Sequence, residues 1–304
     1  MKKNISNLSS SVKARLLNKA KEENRPFLEV LQNFGMERFI YRLSCSKHRD
    51  KLILKGALMF NVWQIAERRT TLDLDFSGNF DNHVKTVENI IKDACNEPVI
   101  SDSLIFDSES VIGRKINEES EYEGVRVKFK AYLDRSRIPM QVDVGFGDTI
   151  YPKPRIIKYP IILDFPAPKI KGYPPESLVA EKFEAIIRLG NLNSRMKDFY
   201  DIWLIMHKFN FSGKILKESL KRTFNQRKTI LPKERPFIDE DFYRFESERQ
   251  ALWRAFIKKE EIDIAPLNLP DVVKMIEDFL GEPINAINKK NEFNKRWNVN
   301  CFWK

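Results

Sequence analysis

Two stretches of the chain alternate strictly between apolar and polar residues. Residues 125–133, VRVKFKAYL, put Val125, Val127, Phe129, Ala131 and Leu133 on one face and Arg126, Lys128 and Lys130 on the other. Residues 139–147, PMQVDVGFG, put Met140, Val142, Val144 and Phe146 inward and Gln141 and Asp143 outward, before Gly145 and Gly147 release the chain. A period of two is that of a half-buried strand. The same period runs through RRTTLDLDFSG at 68–78, with Leu72, Leu74 and Phe76 inward and Asp73 and Asp75 together on the opposite face. Just upstream, KLILKGALMFNVW reads as a short strand, a glycine turn, and a helix beginning at Gly56 and Ala57.

Elsewhere the apolar positions recur at helical spacing. A serine cluster at 9–11 can cap a helix over 9–22. Residues 26–43 repeat Phe27, Val30, Leu31, Phe34, Phe39, Ile40 and Leu43, with Gly35 expected to divide them into two helices. Residues 84–97 form another amphipathic pattern, and the Pro- and Lys-rich stretch 153–171 reads as an edge strand and connector. From 174 onward only helical patterns are visible. The pattern predicts an α/β chain: a small mixed β-sheet carrying the carboxylates, flanked by helices, then a helical C-terminal domain. The expected division is a helical lead-in over 1–50, an α/β core over 51–172 and the C-terminal domain over 173–304.

Charge narrows the partners. The 304 residues carry a net charge of +10 with a pI near 9.3. That balance favours anionic partners, nucleic acid first and nucleotides second. The three cysteines and three histidines are scattered and support neither a zinc site nor a disulfide framework. No apolar run reaches the roughly 18–20 residues that span a membrane. The basic N-terminus lacks an apolar segment of the secretory kind. A cytoplasmic protein with no membrane partner is the expectation.

The acidic pair raises the question of chemistry. Asp73 and Asp75 are compatible with a solvated strand end, and equally with a Mg²⁺ site, since paired hard oxygens suit that ion. Asp143 adds a third carboxylate if its strand lies beside theirs, and three such groups can hold two ions around a phosphate. The Lys55-Gly56-Ala57 turn at a helix start can offer backbone N–H groups to phosphate oxygens, although an ordinary turn reads the same way. Lys182 falls inside the apolar arc of Leu178, Val179, Phe183, Ile186 and Ile187. It either snorkels outward or points into a polar cleft. Asp198 and Asp201 suit a helix cap and, equally, an active site.

The blocks LKGALMF, RRTTLDLDF, VDVGF and ESLVAEKFEAIIRLGNLNSRMKDFYDIW, in this order, resemble the AbiEii/AbiGii toxin family of the DNA polymerase β-like nucleotidyltransferase superfamily. The resemblance covers roughly residues 10–210. Ala57 stands where many members of the wider superfamily carry serine, which removes one hydroxyl contact to phosphate. The resemblance implies a metal-dependent nucleotidyltransferase toxin, paired with a cognate antitoxin in a toxin–antitoxin or phage-defence system. It would move nucleotides from a nucleoside triphosphate to RNA, a tRNA 3′ end above all, and so block translation. The alternatives are a nucleotide-binding regulator without turnover, a transferase that modifies protein, and a metal-dependent nuclease. Asp73, Asp75 and Asp143 would hold Mg²⁺ and, with Lys182 and Asp198, form the catalytic set. Lys55, Gly56, Ala57, Arg69, Thr70, Lys182 and Asp201 would contact the nucleotide in a cleft between core and C-terminal domain. On this reading Lys182→Ala costs nucleotide affinity more than stability.

RNA would need further cations. Arg126, Lys128 and Lys130, Arg188, Arg195 and Lys197, and the Lys/Arg run at 221–235 are candidates. The tail at 288–304 mixes basic residues with Phe293, Trp297, Phe302 and Trp303, and suits either base stacking or docking on the protein.

Overall fold

The structure, a computed structural model, describes residues 2–65, 71–117 and 123–304. The chain divides into two compact units. One comprises Met1–Gly147 and Arg155–Gly172, and the other Asp148–Pro154 and Tyr173–Lys304. The lead-in at 1–50 thus packs within the first unit, and 148–154 belongs with the second.

The first unit opens with α1 (Lys2–Glu22) and α2 (Phe27–Cys45), followed by β1 (Leu52–Lys55), α3 (Leu58–Val62), β2 (Leu74–Gly78) and α4 (Val84–Cys95). Then come β3 (Leu104–Asn117), β4 (Glu123–Leu133), β5 (Ser136–Phe146), β6 (Arg155–Lys158) and β7 (Lys169–Gly172). The strands form one seven-stranded sheet in the order β3-β4-β5-β2-β1-β7-β6. The β2–β5 and β1–β7 pairs are parallel and the others antiparallel, so the sheet is mixed.

Alternation is realised most fully in β4, where Val125, Val127, Phe129, Ala131 and Leu133 are all buried. Phe129 meets Phe39 of α2 at 5.0 Å between ring centroids. Aromatic pairs of this kind add to the burial of apolar area that drives the packing. Three local expectations fail. The serines at 9–11 do not cap a helix over 9–22, because α1 starts at Lys2 and they lie in its interior. Gly35 does not break α2, which runs unbroken through it. Instead a β-carbon there would lie 3.1 Å from Ile138 Cγ2, so the glycine lets the helix approach β5 closely. Leu72 is 57% exposed, because β2 begins only at Leu74 and the alternation stops short of it. Beneath the helices lies a buried ionic cluster. Asp102 accepts from Arg38 Nε at 2.9 Å and from Arg42 Nη1 and Nη2 at 2.7 and 2.8 Å.

The second unit contains α5 (Pro175–Leu189), α6 (Met196–Lys208), β8 (Phe211–Ser212), α7 (Gly213–Gln226) and α8 (Glu240–Tyr243). α9 (Glu248–Lys259), α10 (Leu269–Asn288), β9 (Arg296–Asn298) and β10 (Phe302–Trp303) complete it. It is not helical throughout, since β10, β9 and β8 pair in a small antiparallel sheet. That sheet docks the C-terminal tail. The Trp297 indole N–H donates to the Met206 carbonyl at 2.8 Å, and that of Trp303 to the Phe279 carbonyl at 3.0 Å. With both indole donors satisfied and Trp297 only 1% exposed, these rings are packing residues rather than a stacking platform. No helix among the described residues is long and apolar enough to cross a membrane.

Candidate active site

Strand register assembles the acidic residues in the first unit. Asp75 of β2 stands opposite Asp143 of β5, Asp143 opposite Arg126 of β4, and Arg126 opposite Arg114 of β3. On the other side Lys55 of β1 stands opposite Asp75. Directly paired residues project to the same face of a sheet. A single row therefore crosses five strands, Arg114, Arg126, Asp143, Asp75 and Lys55, with two carboxylates between cations. Asp73 lies just before β2, two residues from Asp75.

Arg126 grips Asp143 in a two-pronged pair, donating from Nε to Oδ1 at 2.8 Å and from Nη2 to Oδ2 at 2.6 Å. The Asp143 hydrogen bonds hold the guanidinium above its usual pKa, and the negative fields of Asp143, Asp73 and Asp75 add to the effect. All three predicted carboxylates are thus felt at one cation. Arg126 was expected to lie along an RNA backbone, but the structure places it on Asp143. A two-residue turn at Asp134 and Arg135 joins β4 to β5 and sets this register, so turn arithmetic on the sequence could have found the pair.

Gly56 follows β1 with φ at +69°, a conformation that favours glycine. A β-carbon there would lie 2.2 Å from Asp75 Oδ2. The bare backbone is what lets the Asp75 carboxylate rest over this turn. Ala57 is buried, and α3 begins directly after it. Arg69 and Thr70 lie outside the described residues.

The carboxylates bear on whether a metal fits. Among the described residues, no three carboxylate, imidazole or thiol groups stand close enough together to hold an ion between them. The donor chemistry nevertheless suits Mg²⁺. Asp73 and Asp75 bring hard oxygens beside a site where a cation, Arg126, already feels them, and Mg²⁺ takes few protein ligands alongside waters and phosphates.

In the second unit, Lys182 of α5 does not snorkel. Its Nζ lies 2.7 Å from Asp198 Oδ1 and 2.6 Å from Asp201 Oδ2, both on α6. The two carboxylates are 2% and 0% exposed. One turn of helix brings residues 198 and 201 to the same face, so both meet the lysine and neither serves as a helix cap. Arg195 Nε adds a contact to Asp198 at 3.0 Å. Burial pushes the Asp198 carboxyl up, but Lys182, then Arg195, hold it below the usual range.

Several cations assigned to RNA are committed elsewhere. Arg227 lies 2.7 Å from Glu184 and 3.2 Å from Asp148, and Arg188 lies 3.1 Å from Glu184. Arg222 pairs with Glu218, and Arg235 with Asp278. Lys128, Lys197, Lys221, Lys228 and Lys233 are exposed.

The first unit is thus a mixed sheet with paired carboxylates on one face, beside a glycine turn that follows its first strand. The chain belongs to the AbiEii family: the family model described as "Nucleotidyl transferase AbiEii toxin, Type IV TA system" matches residues 38–278. None of the curated proteins matches it in sequence. Among solved structures, one provisionally assigned as a nucleotidyltransferase from H. pylori aligns with a TM-score of 0.50 at 13% identity, covering 87% of this chain and 98% of its own. JHP933 from Helicobacter pylori aligns with a TM-score of 0.48 at 13% identity, covering 86% of this chain and 94% of its own. At this identity the first alignment speaks to the fold alone.

Proposed function

We propose that this toxin is a Mg²⁺-dependent nucleotidyltransferase that adds nucleotides from a nucleoside triphosphate to RNA, a tRNA 3′ end above all, and so stops translation. The observation that carries the reading is the pairing of Asp75 with Asp143 in one row of the sheet, with Asp73 two residues away. Asp73 and Asp75 would hold the ion, and Asp143 completes the acidic set. When bound, Mg²⁺ supplies charge neutralisation on the triphosphate and lowers the cost of the developing negative charge. The acceptor hydroxyl attacks the α-phosphorus, the bond from that phosphorus to the bridging oxygen breaks so that pyrophosphate leaves, and the hydroxyl proton passes to the Asp143 carboxylate.

Lys182 carries a positive charge whose position Asp198 and Asp201 set, and it serves the phosphates. Lys55, Gly56 and Ala57, with Arg69 and Thr70, are assigned to the nucleotide. RNA is favoured as acceptor by the net charge of +10 and by the exposed lysines. An antitoxin partner follows from the family, and phage defence is the setting that such a pair suits.

Incubation with total tRNA, Mg²⁺ and each labelled triphosphate in turn tests the reading. Label in lengthened RNA is expected. Label on protein, or shortened RNA, contradicts it.

A further inference from the structure

Arg126 does more than neutralise a neighbour. Both of its prongs occupy both oxygens of Asp143, and its side chain is only 29% exposed. A bidentate arginine–carboxylate pair is geometrically specific and is held more firmly than a surface ion pair. While it persists, each Asp143 oxygen already accepts one charged hydrogen bond, so a second cation must share or displace it. Asp75 stands next along the same row, on the far side of Asp143 from Arg126.

We propose that Arg126 is a built-in counter-ion of the acidic row: a positioning residue that competes with the divalent cation for Asp143. In the absence of nucleotide it keeps Asp143 out of the coordination sphere and leaves the ion to Asp73 and Asp75. This accounts for two facts together: Asp75 and Asp143 stand paired in one row, yet no three acidic groups form a closed metal cluster among the described residues. It also removes the repulsion that three carboxylates would otherwise place on one sheet face. The inference rests on the metal-site reading given above, and the test separates the two.

The experiment is a Mn²⁺ titration of the full chain without nucleotide, followed by electron paramagnetic resonance. Wild type, Arg126→Gln, Arg126→Lys, the double variant Arg126→Gln/Asp143→Asn, and Asp75→Asn are compared, each after its folding is checked by circular dichroism. Removing one positive charge beside the carboxylates and freeing Asp143 should tighten Mn²⁺ binding in Arg126→Gln about tenfold. The double variant should lose that gain. Arg126→Lys keeps the charge but only one prong, so it folds most readily and should fall between wild type and Arg126→Gln. Unchanged or weaker Mn²⁺ affinity in Arg126→Gln and Arg126→Lys overturns the proposal while the metal site stands. So does a gain that persists in the double variant. If Asp75→Asn binds Mn²⁺ as wild type does, the metal-site reading itself fails and the inference with it.

Discussion

The carboxylate of Asp75 rests in the space that a β-carbon on Gly56 would occupy, 2.2 Å from Oδ2. The glycine is required twice over, by its positive φ and by this contact. Gly56→Ala should therefore cost about 1–2 kcal/mol for the left-handed backbone alone, and push Asp75 out of its row. Thermal melting and nucleotide transfer measured on one sample check this: a lower melting temperature together with lost transfer is expected. Full transfer in a folded variant would mean that the position of Asp75 is immaterial.

Lys182 reaches both Asp198 and Asp201, and those two carboxylates are almost wholly buried. Lys182→Ala should destabilise the protein by about 3–5 kcal/mol, the range for breaking a buried pair and leaving its partner charged. The sequence suggested a loss of nucleotide affinity larger than the loss of stability, and the buried geometry adds a stability cost that the sequence did not show. Denaturant unfolding gives the answer. Adding Asp201→Asn to Lys182→Ala should restore part of the stability by removing one orphaned charge.

The strands and their inward faces were legible because alternation is a local property, and β4 matches it residue for residue. Leu72 was misread because alternation cannot say where pairing stops. Gly35 was misread because a glycine that admits a neighbour looks, in one dimension, like a glycine that ends a helix. The acidic row was half legible. Asp73, Asp75 and Asp143 stand out as charges on apolar strands, whereas Arg126 looks like any solvated strand cation until the β4–β5 turn is counted. Lys182 stood out as a charge inside an apolar arc, but its partners come from another helix, where periodicity does not reach.

Glu37 gives a stability signature in pH. It is buried and accepts from the Ile162 N–H at 2.7 Å. Burial first, opposed by that hydrogen bond and by Arg38, pushes its carboxyl from 4.5 up to about 7. Between those two values the folded protein holds a proton that the unfolded chain has released, so stability falls as pH rises through this window. The loss attributable to Glu37 is about 3 kcal/mol at most. Glu37→Gln should abolish this slope, and urea unfolding from pH 4 to 8, on the order of one point per pH unit, reads it. Asp198, held low, acts oppositely: its contribution is present at neutral pH and is lost only as pH falls below the ordinary aspartate range.

If RNA is the acceptor, exposed lysines must contact its phosphates. Lys128, Lys221, Lys228 and Lys233 are exposed, while Arg126 and Arg227 are bound within the protein. The affinity for tRNA should fall with salt by a log–log slope of about −0.7 to −0.9 per phosphate contacted. Replacing Lys221, Lys228 and Lys233 by alanine should make the slope shallower, whereas nucleotide binding should respond little. A tRNA affinity indifferent to salt would remove nucleic acid as the partner.

The central claim is that Asp73, Asp75 and Asp143 form the acidic set for nucleotidyl transfer, and Asp75→Asn tests it most directly. The exchange keeps side-chain size and removes one negative charge from the row. Loss of several kcal/mol of transition-state stabilisation would slow the reaction about a thousandfold. The measurement is the initial rate of labelled nucleotide incorporation into tRNA at saturating Mg²⁺, with wild type and variant matched for folded content by circular dichroism. The account predicts that incorporation by folded Asp75→Asn falls by at least that factor. Incorporation at the wild-type rate would contradict it.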